Sequence, residues 1–218
     1  IVFGDWSSDV CSSDLRMSLI DLFIYGIKNE GLVAYKSNDD RFSAPMTTQD
    51  LELAFGAKTD TTYIEDPETG MQKPVIIEGQ INSYEVKQYK LKEEWYFDRQ
   101  RSYLDVRIIG ICPIRFYTKG TGTGTETEIR KAEVFWIYYP EARRILANHE
   151  VFNPSNDAER KTFDDIFFKR RFSSFAIQES NVYDDRTVSL YRQGIHAMQE
   201  AERIKDMLFK TEIDLWEY

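Results

Sequence analysis

The chain has 218 residues, with 28 Lys and Arg against 37 Asp and Glu and a formal net charge of −9. That length suits one domain, and the acidic balance argues against nucleic acid as a partner, because neutralising phosphates needs a basic surface. No apolar run approaches the ~18–20 residues of a membrane-spanning helix, so the sequence predicts no direct membrane span.

Residues 5–15, DWSSDVCSSDL, match a reading frame of a common short-read sequencing adapter without a break. The segment has no apolar periodicity, and we read residues 1–15 as a non-native, adapter-derived stretch that contributes nothing to the fold. The native N-terminus is then expected to be missing ahead of residues 16–218, which read as one domain. Setting the stretch aside removes Asp5, Asp9 and Asp14, taking the charge from −9 to −6, and leaves Cys112 as the one native cysteine. A single cysteine excludes an internal disulfide and a cysteine-based metal site.

In chain order, Ser18 is placed to cap a helix with Leu19, Leu22, Phe23 and Ile27 on its apolar face, stopped at Gly31. Leu32, Val33, Ala34 and Tyr35 form a short strand, and residues 37–45 are polar and turn-rich. Thr47 or Thr48 opens a second helix through Leu51 to Phe55, stopped at Gly56. Residues 61–64 and 75–77 flank a Pro/Gly turn and predict a hairpin. Residues 81–92 read as a short helix passing into extended chain.

The centre of the core is expected around residues 93–113. Leu104, Val106, Ile108 and Cys112 alternate onto one strand face, with Asp105, Arg107, Ile109 and Ile111 on the other, and Pro113 closes the strand. Its expected partner is residues 134–139, ended by Pro140, across a Thr/Gly loop at residues 118–128. Pro140 then opens a helix through Ala142, Ile145 and Leu146. Asn156 and Glu159 suggest a capping pair for the next helix, whose buried face carries Phe163, Ile166, Phe167 and Phe175. Asp164 and Asp165 suit its N-terminal half; Lys169, Arg170 and Arg171 suit its C-terminal half. A last helix over residues 187–208 places Tyr191, Ile195, Met198 and Leu208 on one stripe, with Trp216 in the tail. These elements make an α+β fold, a central antiparallel hairpin or sheet packed against helices with a helical C-terminal half.

Few residues carry chemistry. The histidines are His149, at a helix end, and His196, inside the last helix, too few for a zinc site without unusual carboxylate ligation. Cys112 reads as a small buried hydrophobe, since a reactive thiolate needs accessible, electropositive surroundings. Adjacent acidic pairs such as Glu93 and Glu94 diverge on a strand or helix and do not make an acid/base couple. Gly120, Gly122 and Gly124 lack the lysine of a phosphate-binding loop. The sequence thus predicts no enzyme, no catalytic residue, no cofactor and no metal. Trp95, Tyr96 and Phe97 with Arg99 and Arg101 remain, either as a core wedge with snorkelling arginines or as a recognition surface, since aromatics and Arg dominate interface anchors.

Residues 93–111, with Trp95, Tyr96, Phe97, Asp98, Arg99, Gln100 and Arg101 at their head, resemble the central block of the GldN/PorN family. Phe135, Trp136, Ile137, Tyr138, Tyr139 and Pro140 resemble its second block. Residues 151–165, residues 179–184 and the ending from Glu202 to Trp216 complete the match in the family's order. The resemblance implies a non-enzymatic component of the type IX secretion and gliding motility machinery. It implies a periplasmic location, peripheral to the outer membrane. It further implies an oligomeric ring with an outer-membrane lipoprotein of the GldK/PorK type and contact with a GldM/PorM-type motor subunit. Trp95, Tyr96, Phe97, Arg99 and Arg101 are the expected partner-binding residues. The alternative is a periplasmic carbohydrate- or peptidoglycan-binding module that uses Trp95, Tyr96 or Trp136 as stacking platforms.

Overall fold

A computed structural model describes residues 2–3, 17–56, 60–65, 72–77, 81–120, 127–151, 160–180, 182 and 185–214. The first half contains β1 (Val2–Phe3), α1 (Leu19–Asn29), β2 (Ala34–Lys36), α2 (Thr48–Ala54), β3 (Asp60–Glu65) and β4 (Gln72–Ile77). A 3-10 turn at Ser83–Glu85 leads into β5 (Val86–Asp98), followed by β6 (Tyr103–Gly120), β7 (Thr127–Glu133) and β8 (Phe135–Tyr138). Then come α3 (Tyr139–Asn148), β9 (Glu150–Val151), β10 (Lys161–Thr162), α4 (Phe163–Phe168), β11 (Ser174–Phe175), α5 (Val188–Tyr191) and α6 (Ile195–Asp214). The fold is α+β.

The local signals at the first helices act as expected. The Ser18 hydroxyl accepts from the Asp21 N–H at 3.2 Å and caps α1. Thr47 and Asp50 form a reciprocal capping box on α2, and Pro140 lies in the first turn of α3. Each pairing satisfies N–H groups that have no partner inside the helix. The hairpin of residues 61–64 and 75–77 is present as β3 and β4, and its turn lies outside the described residues.

An antiparallel sheet in the order β11-β1-β5-β6-β8-β2, with β7 also on β6, forms the centre. The expected hairpin of residues 103–113 with 134–139 is only part of this. The main partner of β6 is β5, joined through a tight turn that sets Asp98 opposite Tyr103. β8 meets β6 only at Gly110 and Ile111, and β7 takes over from Ile114 to Gly120. Pro113 therefore does not end the strand. It sits where β6 changes partner, at the break between β7 and β8, and its carbonyl accepts from the Val134 N–H at 3.1 Å. Proline is tolerated at such irregularities because a ladder hydrogen bond is already lost there.

A second irregularity corrects the face assignment. Lys92 lies opposite Gly110 but Glu93 lies opposite Ile108, so Ile109 is the extra residue of a bulge. Alternation on β5 runs through this point unbroken, which puts Leu104, Val106 and Ile108 on the face of Leu91 and Ile111. Ile108 accordingly joins the buried core with Leu91, Ile111 and Ile137. Cys112 falls on the opposite face, beside the Lys90 and Glu133 charges.

On the core face, Leu22 and Phe23 of α1, Ile145 and Leu146 of α3, and Phe163 and Phe167 of α4 pack with Phe135 and Ile137. The cap of α4 is a Thr162–Asp165 capping box rather than Asn156 with Glu159, which lie outside the described residues. Phe175 is not on that helix; it belongs to β11 and is 51% exposed. The last helix is also divided. Gly194, at φ +59°, breaks it between α5 and α6, a conformation glycine adopts without steric cost. Ile195 and Met198 then face solvent, and α6 buries Ala201 and Ile204 instead.

One expectation about residues 1–15 fails at their start. The backbone of Val2–Phe3 pairs with β5 on one side and β11 on the other. Strand pairing satisfies backbone donors and acceptors, so an open ladder accepts a short segment with little regard to its sequence. Residues 4–15 lie outside the described residues.

Candidate functional site

The organising stretch occupies the far end of the β5–β6 hairpin. Trp95, Tyr96 and Phe97 are the last residues of β5 before Asp98, with Val106, Asp105 and Leu104 directly opposite. Arg99 and Arg101 lie in the four-residue turn that follows, and both are exposed. Asp98 shapes the turn. Its carboxylate accepts from the Gln100 N–H and its carbonyl from the Ser102 N–H, each at 2.8 Å. Ser102 turns the chain back with φ at +55°. Arg101 donates to the Tyr103 hydroxyl at 3.1 Å, whereas Arg99 projects from the turn.

The aromatic triplet splits between the two faces, as strand alternation requires. On the face away from the core, the Tyr96 hydroxyl donates to Asp105 Oδ2 at 2.9 Å, and the Arg107 guanidinium stands 5.3 Å from the ring centre. The bond to Asp105 holds the phenol above its ordinary pKa and so keeps it a donor. On the core-side face, Trp95 meets Arg170, whose guanidinium lies 5.6 Å from its ring and 5.4 Å from that of Phe172. Arg170 also forks onto Glu93 at 2.8 and 3.2 Å. The Glu93 side chain is only 3% exposed. A buried carboxylate requires such a two-pronged, charge-assisted partner. Phe97, 47% exposed, is the one member of the triplet on open surface.

Arg170 was not legible as part of this site. Its run of Lys169, Arg170 and Arg171 suits a helix C-terminus, and that is also where it lies. Arg170 takes φ +49° just past α4, its N–H bonded to the Phe167 carbonyl and the Arg171 N–H to that of Ile166. These two bonds close the helix as a Schellman motif, whose left-handed position usually carries glycine. An arginine there accepts a backbone cost of ~1 kcal/mol and turns its side chain back onto β5.

A second aromatic cluster covers the other face near β8. Asp39 organises residues 39–44 by accepting from the Ser43 hydroxyl and the N–H groups of Ser43, Ala44 and Arg41. These bonds, the Ser43 hydroxyl foremost, hold its carboxyl down at about 2. Phe42 is thereby presented to Tyr35, Trp136 and Tyr138 at centroid distances of 5.5, 6.2 and 5.5 Å. A Cβ at Gly110 would stand 2.5 Å from the Phe42 ring, so that strand position must be glycine for the ring to seat. Trp136 is 2% exposed and donates to the Ser37 carbonyl at 3.2 Å. None of the three expected stacking platforms is a bare exposed ring. Trp136 is buried, and Trp95 and Tyr96 each carry an arginine.

The other singled-out residues take packing, bridging or surface roles. Cys112 is fully buried, and burial pushes its thiol far above the usual range, leaving it neutral. His149 Nδ1 lies 2.9 Å from the Ile145 carbonyl, with its ring edge-on to Tyr25 at 6.0 Å. His196 is on the surface of α6, 3.3 Å from the Gln199 side chain. Asp164 accepts from Tyr139 at 2.9 Å and from Arg143 at 3.0 Å, tying α3 to α4. Among the described residues, no group of three or more His, Cys, Asp or Glu is placed to hold a metal ion, and no helix is long and apolar enough to cross a membrane.

Comparison with known proteins returns one family. No curated protein matches the chain. The family model described as gliding motility associated protein GldN matches residues 8–217, beginning inside the adapter-like segment and covering nearly the whole chain. On that extent of match, the chain belongs to the GldN family and is associated with gliding motility.

Proposed function

We propose that this chain is a non-enzymatic structural adaptor of the type IX secretion and gliding motility machinery. In this reading it works in the periplasm, peripheral to the outer membrane, in a ring with a GldK/PorK-type lipoprotein and in contact with a GldM/PorM-type motor subunit. Its family membership supports the setting. The observation that carries the contact is the braced hairpin tip. Trp95 is held from within by Arg170 and Glu93, while Phe97, Arg99 and Arg101 stand exposed beyond it. A rigid aromatic and arginine surface binds with little loss of conformational freedom, and arginine forks match carboxylates on a partner.

Co-purification tests the reading. Expressed with a GldK/PorK-type lipoprotein, the chain should be recovered in a stoichiometric, high-mass assembly. Recovery of the two proteins separately under conditions where both are folded would contradict it.

A further inference from the structure

Helix α6 is 20 residues long yet buries only Ala201 and Ile204, with Leu208 half-buried. Away from that stripe, Ile195 and Met198 are each 73% exposed, Phe209 60% and Ile213 42%. Ile195, Met198, Glu202, Lys205 and Phe209 follow one another at steps of three, four, three and four residues. On a helix such steps trace a single seam, the a/d pattern of a two-stranded helix pair. Single exposed apolar residues are ordinary; the symmetry of this seam is not. About the point midway between Glu202 and Lys205, Met198 mirrors Phe209, and the two opposite charges mirror each other. Among the described residues, the ion pairs of α6 run through Arg203, to Glu200 at 2.6 Å and Glu179 at 3.9 Å.

We propose that α6 is a self-association surface that pairs antiparallel with α6 of a second copy of this chain. In that two-fold arrangement Met198 packs on Phe209 of the second copy, and Phe209 on its Met198. Glu202 and Lys205 form two equivalent ion pairs at the centre. Another protein would need an unrelated complementary seam, whereas a second copy supplies the required one by symmetry. Charges at the middle of the seam weaken the contact relative to apolar residues but fix its register and its antiparallel direction. Ile195 and Ile213 extend the apolar contact toward each end. The seam uses none of the hairpin-tip residues, so its test is independent of the lipoprotein contact.

Charge reversal gives the test, with self-association of the full chain followed by sedimentation equilibrium. Wild type should form a dimer. Glu202→Lys sets lysine against lysine and Lys205→Glu sets glutamate against glutamate, and each should weaken the dimer by about tenfold or more. The combined variant restores opposite charges in the same register and should recover most of the affinity. Met198→Ser, which leaves charge unchanged, should also loosen it. All three positions are exposed, and circular dichroism of each variant should match wild type. A monomeric wild type, a dimer indifferent to the single reversals, or a combined variant no tighter than the single ones would overturn the proposal.

Discussion

Replacing Arg170 with alanine probes the brace beneath the hairpin tip. The change leaves the Glu93 carboxylate, 3% exposed, without its forked partner. Breaking a fully buried pair costs ~3–5 kcal/mol. Arg170 itself is 30% exposed, so solvent screening brings the expected share down to about 2–3 kcal/mol. Losing the stacking on Trp95 and Phe172 adds ~0.5–1 kcal/mol at a partly exposed site. Arg170→Gly removes the same side chain but relieves the left-handed backbone, and should be less destabilising than alanine by about 1 kcal/mol. Urea unfolding followed by tryptophan fluorescence measures both variants. The reasoning is refuted if Arg170→Ala unfolds within about 0.5 kcal/mol of wild type, the range of an ordinary surface change. Equal losses for alanine and glycine would refute the backbone part alone.

Cys112 should resist thiol reagents in the native protein and react only on unfolding, and Cys112→Ala should cost on the order of 1 kcal/mol; prompt native-state labelling would contradict its burial. Gly110→Ala should destabilise by about 1–3 kcal/mol through overpacking against Phe42, with Phe42→Ala in the same chain partly relieving that clash; a neutral Gly110→Ala would show that the ring is not seated there. The Asp39 carboxyl, with Asp50 and Asp165, is held below its ordinary pKa. A depressed folded-state pKa contributes stability that is present above the unfolded value near 4 and lost as pH falls through the folded value, about 2 for Asp39. Thermal melting between those limits should therefore fall with acid, and Asp39→Asn should flatten that fall; an unchanged acid limb would count against the loop bonds.

What was legible from the sequence was local. Ser18 and Thr47 cap helices through partners three residues away, and Pro140 opens one by its own ring geometry. The apolar character of residues 103–113 likewise marks the core strand, because burial on both faces from Ile108 onward leaves its signature in composition. The features that shape the site are not local. Glu93 and Arg170 are 77 residues apart, and each is unremarkable in its own segment. Phe42 sits in a polar run whose turn chemistry is visible, but its target is a glycine on β6. The bulge at Ile109 turns the alternation over, so a period counted across it assigns Cys112 to the wrong face. At Gly194 an apparent single helix divides, and a stripe that reads as core is left facing solvent.

The central claim concerns the exposed end of the hairpin. Arg99→Ala combined with Arg101→Ala removes both turn arginines and leaves Trp95, Arg170 and Glu93 in place. Truncating desolvated interface arginines typically costs ~2–5 kcal/mol, a weakening of about 30-fold or more, whereas exposed, unused arginines cost almost nothing. The measurement is a pull-down with a lipoprotein of the proposed GldK/PorK type, with circular dichroism of the free variant as the folding control. A folded variant that no longer retains the lipoprotein is the predicted result; a folded variant that assembles as well as wild type would place the contact elsewhere on the molecule.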